Sequence, residues 1–524
     1  MRPPRFLRNT IKMIRSLLII VILSFFNLGC SGLKSPANPI SNEETVTLKI
    51  VQINDVYEIA PLNAGEYGGL ARVAYIRDSI KQRFPNTYLF LAGDFLNPSL
   101  LGTIKVDGER VNGKQMVEVL NAMDVDLVTF GNHEFDLSEA DLQKRLDESN
   151  FAWTSANVRH ISAAGTNFFK GKKNNSISVA SDYSIFTASN EAGKSIKFGV
   201  FGVTLPSNPK DYVHYGDIYE NSERAYKLAQ QESDFVVGLT HVAIDEDMEI
   251  AKRLESIPLI MGGHEHFNML EKEGATIITK VDGNAKSAYV HTLTYNLATN
   301  NLHLNSELVM VTSKIASSAK VEPVVKKWNA LLEQKLKETI ADPTQIVYHA
   351  TDPLDGTDTA NRSKQTNMGA LIARAMAYAF QDSVDGALVN GGSIRIDDKL
   401  EGDVTAVDIF RVLPFGGGVL KVELNGKLLK EILDYGEAQS GEGAYLQRYN
   451  FSRNNKGAWQ IGDGIETIID SKTYTVAFTD FLLKGLDIPF LKHDNPGIVN
   501  IYTPKETEIA ADIRRAIISY LTSK

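Results

Sequence analysis

Short apolar runs alternate with amphipathic segments through most of the chain after residue 45. The apolar runs predict strands at Val46–Ile53, Thr87–Ala92, Asp126–Phe130, Lys197–Val203, Asp234–Thr240 and Pro258–Met261. Apolar positions at helical spacing between these runs predict helices over Leu70–Ile80, Gln115–Met123 and Asp245–Glu255. Strands separated by helices in this way are typical of a layered α/β domain.

A long amphipathic segment near residue 330 divides the chain into two parts. Its apolar residues recur at helical spacing, at Val325, Trp328, Leu332, Leu336 and Ile340. Asp342-Pro343 ends the pattern, because a proline cannot continue a helix. We interpret the apolar stripe as a packing surface within a linker helix at 316–343, which separates a first domain at 46–315 from a second domain at 344–524.

The second domain combines helices and short strands. We predict helices at Asn367–Phe380 and Lys427–Tyr435, and strands at Ala387–Asn390 and Thr473–Phe478. With 524 residues and 43 % hydrophobic content, the chain is long enough for two or three domains, each with its own core.

The first thirty residues have the layout of an export signal. Basic residues precede an apolar run at 17–26, which is shorter than the ~20 residues of a membrane span. The one cysteine of the chain, Cys30, follows Gly29, and this arrangement resembles a bacterial lipoprotein processing site. We therefore predict a signal peptide at 1–29, a lipidated Cys30 and a flexible tether at 30–45. The alternatives are a plain signal peptide with an incidental cysteine and a retained signal anchor.

This layout predicts an exported protein that is lipid-anchored to a cell membrane and faces the periplasm or the cell surface. A single cysteine excludes an intrachain disulfide. The net charge of −9 provides no basic surface for a nucleic acid polymer. A small anionic substrate stays compatible with this charge, because bound metal ions supply local positive charge. The sequence does not indicate an oligomeric state.

Polar residues of metal-binding type follow the predicted strands of the first domain. They are Asp55 and Tyr57, Asp94, Asn132 to Asp136, His241, and His264 to His266. Because side chains beyond the carboxyl ends of parallel strands meet in one crevice, we expect a two-metal site there. Asp94 is the candidate bridging ligand, and Asn132 offers a neutral carbonyl oxygen. His241 and His264 would complete one ion, while Asp55 and His266 would serve the other.

This ordered set of residues is similar to that of the calcineurin-like metallophosphoesterases. The resemblance implies a four-layer α/β metallophosphoesterase domain that hydrolyses a phosphate ester. It also implies that His133 is not a ligand but protonates the leaving oxygen or stabilises the transition state. Asp136 would orient the His133 imidazole, because an Asp three residues later can hold the second ring nitrogen and so select the tautomer.

Tyr57 departs from the family pattern, which has a ligating His at this position. A tyrosine can ligate a ferric ion as phenolate, leave a weaker site that water fills, or simply pack. We expect a dinuclear site with two divalent or mixed-valence ions. Oxygen and imidazole ligands fit Mn, Zn, Fe or Co about equally well.

Motifs in the second domain resemble the C-terminal substrate-binding domain of 5′-nucleotidases, in a bacterial lipoprotein form. The motifs begin at Arg362, Asn390 and Leu413, and the resemblance implies an α+β fold. It implies that Arg362 and Arg395 contact the phosphate or ribose side of a nucleotide and that Asn390 forms a hydrogen bond with the substrate. It also implies substrate-binding roles for Phe415 and Phe481, which would stack on the base, and for Asp487, which would bind the ribose. Core packing is the alternative for the two phenylalanines, and a surface salt bridge is the alternative for Arg395.

We therefore expect hydrolysis of nucleoside 5′-monophosphates to nucleoside and phosphate outside the cytoplasm, as nucleotide salvage. A broader phosphoesterase that acts on UDP-sugars, dinucleotides or 2′,3′-cyclic nucleotides is the alternative among enzymes. A surface lipoprotein that binds a partner on a decayed hydrolase scaffold is the alternative from another class.

Overall fold

The computed structural model of the protein describes residues 44–63, 65–173, 176–207, 209–254, 256–462 and 466–524. The predicted signal peptide, Cys30 and the tether as far as residue 43 lie outside the described residues. In the part of the chain that is described, no helix combines the length and the apolar character needed to cross a membrane.

The first domain contains nineteen strands and seven helices in its described residues. The strands are β1 (Thr45–Ile53), β2 (Thr87–Ala92), β3 (Lys105–Val106), β4 (Glu109–Arg110), β5 (Leu127–Thr129), β6 (Ala152–Thr154), β7 (Val158–Ser162), β8 (Gly165–Asn167), β9 (Lys170–Lys173), β10 (Ser176–Val179), β11 (Tyr183–Ser189), β12 (Ser195–Thr204), β13 (Val213–Tyr215), β14 (Phe235–His241), β15 (Leu259–Gly262), β16 (Met269–Glu273), β17 (Thr276–Lys280), β18 (Ser287–Asn296) and β19 (Asn301–Met310). The helices are α1 (Leu70–Lys81), α2 (Leu100–Thr103), α3 (Lys114–Ala122), α4 (Glu139–Glu148), α5 (Ile218–Gln230), α6 (Ile244–Arg253) and α7 (Glu322–Lys337).

Two mixed sheets form the centre of this domain. The first has the strand order β19-β18-β1-β2-β5-β6, and β1, β2, β5 and β6 run parallel. The second has the order β11-β12-β14-β15-β17-β16, and its four inner strands run parallel. Apolar side chains of both sheets, such as Phe90 and Phe198, interlock in a common core. The sheets therefore face each other, and their carboxyl-terminal edges can contribute to a single crevice.

Helices cover the outer faces of both sheets. Helices α1, α3, α4 and α7 pack on the first sheet, and α5 and α6 pack on the second. This arrangement of two sheets between two helical layers buries the apolar face of every layer. The layered α/β architecture expected from the sequence is confirmed.

The predicted linker helix is present and packs against the first domain. It ends at Lys337 rather than near residue 341. Val325, Trp328 and Leu332 join the core beneath the first sheet. The Trp328 indole Nε1 donates a hydrogen bond to Glu118 at 2.9 Å. The apolar stripe is thus a packing surface, whereas the domain limits 46–315, 316–343 and 344–524 stay predictions.

The second domain is built around a five-stranded sheet of order β24-β21-β28-β23-β29. Its strands are β20 (Ile346–Asp355), β21 (Gly386–Asn390), β22 (Lys399–Thr405), β23 (Val419–Asn425), β24 (Leu446–Tyr449), β25 (Phe451–Arg453), β26 (Trp459–Ile461), β27 (Glu466–Thr467), β28 (Thr473–Thr479) and β29 (Ile498–Tyr502). Its helices are α8 (Asp358–Ser363), α9 (Asn367–Tyr378), α10 (Ala406–Val412), α11 (Gly426–Ala438) and α12 (Ile513–Thr522). Helices α9 and α12 pack on one face of the sheet, and α11 packs on the other.

Local sequence signals explain where several of these elements begin. Helix α9 starts behind Thr366, whose hydroxyl accepts a hydrogen bond from the Gly369 amide at 2.9 Å. A Thr at this position satisfies an amide that would otherwise lack a partner at the start of the helix. Asn425 caps α11 in the same way, because its side-chain oxygen accepts a hydrogen bond from the Leu428 amide at 2.9 Å.

Candidate active site

The predicted metal ligands gather at the carboxyl ends of strands from both sheets. Asp55 and Asp94 follow β1 and β2, and His241 ends β14. One ligand atom from each of these three buried side chains lies within 4.8 Å of the other two. Asp55 and Asp94 both adopt positive φ angles, of 52° and 53°, where the chain turns sharply out of the sheet. The strand order therefore explains why residues far apart in sequence meet here.

His241 is oriented so that one ring nitrogen faces the cluster. Its Nδ1 lies 2.8 Å from the carbonyl oxygen of Ala92 and must donate to it. The other nitrogen, Nε2, lies 3.1 Å from Asp94 Oδ2 and 3.2 Å from Asn132 Oδ1. Such a backbone hydrogen bond commonly fixes the tautomer of a metal-binding His. The lone pair of His241 Nε2 is thus directed toward oxygen ligands.

Tyr57 and His266 form the other half of the cluster. His266 Nε2 lies 3.3 Å from Asp55 Oδ1 and 3.4 Å from the Tyr57 hydroxyl. The Tyr57 hydroxyl also donates to Asp94 Oδ2 at 3.2 Å. Burial and the nearby Asp94 and Asp55 charges raise the pKa of Tyr57 well above its usual value. The Tyr57 hydroxyl therefore points into the cluster, between Asp94 and His266.

His264 completes the set of imidazoles. Its ring centroid lies 5.6 Å from that of His241. Burial, together with the charge of His241, lowers the pKa of His264 to about 4. A neutral imidazole beside His241 offers a lone pair, which a metal ligand needs. The structure thus brings together all seven predicted ligands: Asp55, Tyr57, Asp94, Asn132, His241, His264 and His266.

The cluster has the charge and spacing that a pair of cations requires. Among the described residues, the fully buried Asp55 Oδ1 has no hydrogen-bond partner. Neighbouring ligands of a four- to six-coordinate ion with bonds of about 2.1 Å lie about 3.0–3.4 Å apart. The separations of 3.1 to 3.4 Å match that spacing. When bound, two divalent cations hold phosphoryl oxygens and offset the negative charge that develops during hydrolysis.

The pKa shifts of the predicted ligands also favour a bound cation. Burial acts to raise the pKa of Asp94, but His241 and His133 outweigh it and hold the pKa below its usual range. Burial opposes a charge on His241, yet Asp94 and Asp55 raise the pKa of His241 to about 9. Carboxylates that draw a proton onto a neighbouring imidazole also favour a cation in its place.

Two glycines allow the ligand loops to approach one another. A Cβ atom on Gly131 would lie 2.1 Å from Asp94 Oδ1. A Cβ atom on Gly93 would lie 2.6 Å from His241 Nδ1. Both distances are far inside van der Waals contact, so any side chain at either position would push the ligands apart.

Glu134 organises the ligand loops, and the sequence analysis assigned it no role. Its carboxylate accepts hydrogen bonds from the amides of Asp94 at 2.9 Å, Phe95 at 2.8 Å, Leu96 at 3.0 Å and Gly131 at 2.6 Å. The loops after β2 and β5 are therefore tied to a single buried side chain. The sequence alone does not show whether Glu134 binds a metal ion or supports the loops, because its partners are backbone amides, which every residue except proline has.

Replacing Glu134 with Gln should lower the free energy of unfolding by about 1–3 kcal/mol. One carboxylate oxygen becomes an NH₂ group, which cannot accept hydrogen bonds from the backbone N–H groups that it faces. Urea unfolding measures this loss. Glu109→Gln is the matched control, since the Glu109 side chain is exposed and pairs with the surface residue Lys144. The control should unfold at the wild-type urea concentration, and equal behaviour of the two variants would contradict this role of Glu134.

His133 and Asp136 form a hydrogen-bonded pair beside the metal cluster. His133 Nδ1 lies 2.8 Å from Asp136 Oδ2, and the His133 amide donates to Asp94 Oδ1 at 2.8 Å. Burial acts to lower the pKa of His133, but Asp94 and Asp136 raise it to about 9. Burial acts to raise the pKa of Asp136, but the bond from His133 and the charge of Arg395 lower it to about 2. Asp136 thus holds Nδ1 of the imidazole, and Nε2 is the ring nitrogen that faces away from this contact.

A cavity of about 470 Å³ lies in the second domain and brings four of the predicted substrate residues together. Its lining includes Asn390, Phe415, Phe481 and Asp487. The Phe415 ring is 55 % exposed, so it does not serve as core packing. The Asn390 amide donates to Asp487 Oδ2 at 2.7 Å. Arg110 of the first domain also lines this cavity, and nothing in the sequence had indicated it.

The two predicted arginines are held by carboxylates, Arg395 by Asp136 and Arg362 by Asp358. Arg395 Nη2 donates to Asp136 Oδ2 at 2.9 Å, which joins the second domain to the His133–Asp136 pair. Its side chain is largely buried, so this contact is not a surface salt bridge. Arg362 forms an ion pair with Asp358 at 2.8 Å. Burial raises the pKa of Asp487, and the positive charge of Arg362 acts to lower it, so this charge is felt in the cavity.

Known proteins share this sequence and fold. The chain is 27 % identical over 462 residues to the trifunctional nucleotide phosphoesterase protein YfkN of Bacillus subtilis, covering 78 % of this chain and 30 % of that protein. It is 25 % identical over 536 residues to a 5′-nucleotidase of Vibrio cholerae, covering 90 % of each. A 5′-nucleotidase precursor from Thermus thermophilus superposes with a TM-score of 0.65 at 22 % identity, covering 91 % of this chain and 96 % of that one. The superposition shows a shared two-domain fold.

Two family models match successive parts of the chain. The model of the calcineurin-like phosphoesterases matches residues 48–268, which contain all seven predicted metal ligands. The model of the 5′-nucleotidase C-terminal domain matches residues 346–493, which contain the cavity and both arginines. Together they span most of the chain. The protein therefore belongs to the 5′-nucleotidase family of calcineurin-like phosphoesterases and is a metal-dependent phosphoester hydrolase.

Proposed function

We propose that this protein hydrolyses nucleoside 5′-monophosphates to nucleoside and phosphate outside the cytoplasm. The contact between Arg395 and Asp136, at 2.9 Å, is the observation that carries the proposal. The segment Asn390–Arg395 begins at the cavity of the second domain and ends at the catalytic pair of the first. A nucleotide is the kind of substrate that needs a cavity for its base and a metal centre for its phosphate.

The cavity has the groups that a nucleoside requires. Phe415 and Phe481 offer ring faces for stacking, which is tolerant of base identity. Asp487 and Asn390 already share a hydrogen bond, and their remaining lone pairs and protons suit ribose hydroxyls. Arg362 and Arg395 present forked donors near the path of the phosphate. This division assigns recognition to the second domain and bond cleavage to the first.

His133 would act at the bond that breaks. A protonated imidazole can donate its Nε2 proton to the 5′-oxygen of the departing nucleoside, which then leaves as a neutral hydroxyl. Asp136 holds Nδ1 at 2.8 Å and keeps the ring in place while the proton moves. Arg395 also contacts Asp136 and so links the arrival of substrate to the position of the acid.

Phosphate release from a panel of substrates tests this proposal. AMP, UDP-glucose and 2′,3′-cyclic AMP are offered to chelator-treated protein resupplied with Mn, Zn, Co or Fe. We expect the largest kcat/KM on AMP. A preference for UDP-glucose or for the cyclic nucleotide would replace the proposal with the broader phosphoesterase activity, and no turnover of any 5′-monophosphate would refute it.

Removal of one stacking ring should weaken substrate binding. Stacking contributes about 1–3 kcal/mol per base, so Phe415→Ala should raise KM for AMP by about 5- to 150-fold with little change in kcat. Steady-state kinetics measure both values. Phe84→Ala is the control, because Phe84 is a partly exposed ring of the first domain that lies under Lys49 rather than in the cavity. An unchanged KM in Phe415→Ala would remove this residue from the binding site.

We also propose that the protein is exported and held at a membrane through a lipidated Cys30, where it releases nucleosides for uptake. The basic and apolar segments ahead of Cys30 support this location. Labelled palmitate should enter the wild-type protein, and Cys30→Ser should be unlabelled and leave the membrane fraction. Equal membrane association of both proteins would contradict the lipid anchor.

A further inference from the structure

The second domain places a carboxylate against the metal cluster of the first. Asp397 Oδ2 lies 3.3 Å from His266 Nε2, and Asp55 Oδ1 lies 3.3 Å from the same nitrogen. The Asp397 side chain is mostly buried at this contact. It follows Arg395 by two residues, and neither its position nor its spacing in the sequence had indicated a role.

The His266 ring leaves one nitrogen facing several acceptors. Its Nδ1 lies 2.6 Å from the carbonyl oxygen of Asp397 and must donate to it. Its Nε2 therefore faces Asp55 Oδ1, Asp397 Oδ2 and, at 3.4 Å, the Tyr57 hydroxyl. Of these groups, the buried Asp55 Oδ1 is without a hydrogen-bond partner among the described residues. A cation among these groups can bind all three oxygens at once. A single N–H on His266 Nε2 can form a good hydrogen bond with only one of them.

Tyr57 supplies the reason that an extra ligand is needed. The Tyr57 hydroxyl is directed at Asp94 Oδ2, to which it donates a hydrogen bond at 3.2 Å. A hydroxyl engaged in this way is a weaker ligand for a divalent ion than an imidazole or a carboxylate. Without a further group, the ion at Asp55 and His266 would share Asp94 and have few strong ligands of its own. Asp397 adds a full negative charge at that point.

We propose that Asp397 is a ligand of the cation held by Asp55 and His266, so that this site is complete only when the two domains are docked. The inference deepens the proposed function and rests on it for the dinuclear centre. Because the ligands of this site come from both sides of the domain interface, metal binding and docking must strengthen each other by the same factor. Occupancy of this site then depends on whether the second domain is docked.

The neighbouring residue provides a matched control. Asp398 also reaches across the interface, where it forms an ion pair with Lys286. In the described part of the chain, its side chain is bonded to Lys286 and to the Lys399 amide rather than to a metal-binding side chain. Asp398→Asn therefore removes an interdomain contact without touching the cluster, whereas Asp397→Asn removes the carboxylate that faces His266. Both changes preserve side-chain shape.

Isothermal titration of the chelator-treated full chain with Mn²⁺ tests the proposal. We expect wild type to bind two ions, and Asp398→Asn to bind both with at most a few-fold loss, because it weakens docking but keeps every ligand. Asp397→Asn should bind one ion with wild-type affinity and the other about 10- to 100-fold more weakly. Two unchanged affinities in Asp397→Asn, or an equal loss in Asp398→Asn, would overturn the inference.

A second measurement uses only the wild-type protein, so it does not require any variant to fold. In crystals of the Mn-loaded wild-type protein, anomalous scattering locates each ion. We expect a carboxylate oxygen of Asp397 at about 2.0–2.3 Å from one of them. A separation beyond about 3 Å would overturn the inference, since an oxygen at that distance is not a ligand.

Phosphate release from AMP, followed on the same samples, separates this inference from the proposed function. Loss of one ion in Asp397→Asn, with wild-type protein inactive on AMP, would support the ligand and refute the proposed function. Wild-type turnover of AMP, with both ions retained in Asp397→Asn, would refute the ligand and leave the proposed function standing.

Discussion

Asp94→Asn should lower kcat/KM for phosphoester hydrolysis by at least about 10³-fold. Asp94 Oδ2 contacts both halves of the cluster, at 3.1 Å from His241 Nε2 and 3.2 Å from the Tyr57 hydroxyl. A bridging carboxylate holds two cations near each other, so its loss removes several kcal/mol of transition-state stabilisation, and about 4 kcal/mol corresponds to 10³-fold.

The measurement is steady-state phosphate release, together with metal content by mass spectrometry. Asp234→Asn is the matched control, because Asp234 lies just before β14, at the end opposite His241, and accepts a bond from the Lys197 amide at 2.8 Å. The control should keep wild-type rates and two ions. An Asp94→Asn protein with normal turnover would show that Asp94 does not join the two cations.

His133→Ala should lower kcat by about 10²- to 10⁴-fold, the usual contribution of a positioned general acid. His133 Nδ1 is held by Asp136 at 2.8 Å, so its second nitrogen is available to protonate the leaving oxygen. Because His133 touches the cluster through its backbone amide rather than its ring, metal content and KM should stay near the wild-type values. Steady-state kinetics with AMP, combined with metal analysis, separate these effects.

His160→Ala serves as the control for His133→Ala. His160 also pairs with an acid, since its Nε2 lies 2.7 Å from Glu139 Oε1 in the first domain. Its ring stacks on Phe169, away from the metal ligands. Turnover should be unchanged in this variant, and equal turnover in both variants would remove His133 from the chemistry.

Much of the metal site could be predicted because each ligand is tied to the end of a strand. The strands that carry Asp55, Asp94 and His241 are buried apolar runs, and the sequence places each within one or two residues of its observed ends. Parallel strands of an open sheet bring their carboxyl ends together, so the order of the residues was sufficient to expect their convergence. The roles of the individual ligands stay predictions.

Residues that act through backbone groups or across the domain interface could not be predicted. Glu134 binds four amides that carry no signal in the sequence. Asp397 meets His266 only because two separate domains dock, and no local pattern encodes that arrangement. The polar edge strand Asn301–Met310 was also absent from the expected elements, since alternating exposed residues such as Asn305 and Glu307 interrupt any apolar run.

The end of the linker helix shows a related limit. Apolar residues at helical spacing continue to Ile340, but the helix ends at Lys337. Ile340 instead packs partly buried where both the first-domain core and a second-domain core can contact it. Periodicity alone cannot separate a helical residue from an apolar residue that packs just beyond the helix.

The central claim is that the protein hydrolyses a nucleotide at the metal cluster of the first domain while the second domain holds the nucleoside, and that two bound cations are needed for this reaction. Phosphate release from AMP by chelator-treated protein, followed while Mn²⁺ is added back, tests it most directly. We predict no release without metal and a rise that saturates when two ions are bound per chain. Full activity in the chelated protein, or no phosphate at any Mn²⁺, Zn²⁺, Co²⁺ or Fe²⁺ concentration, would contradict it.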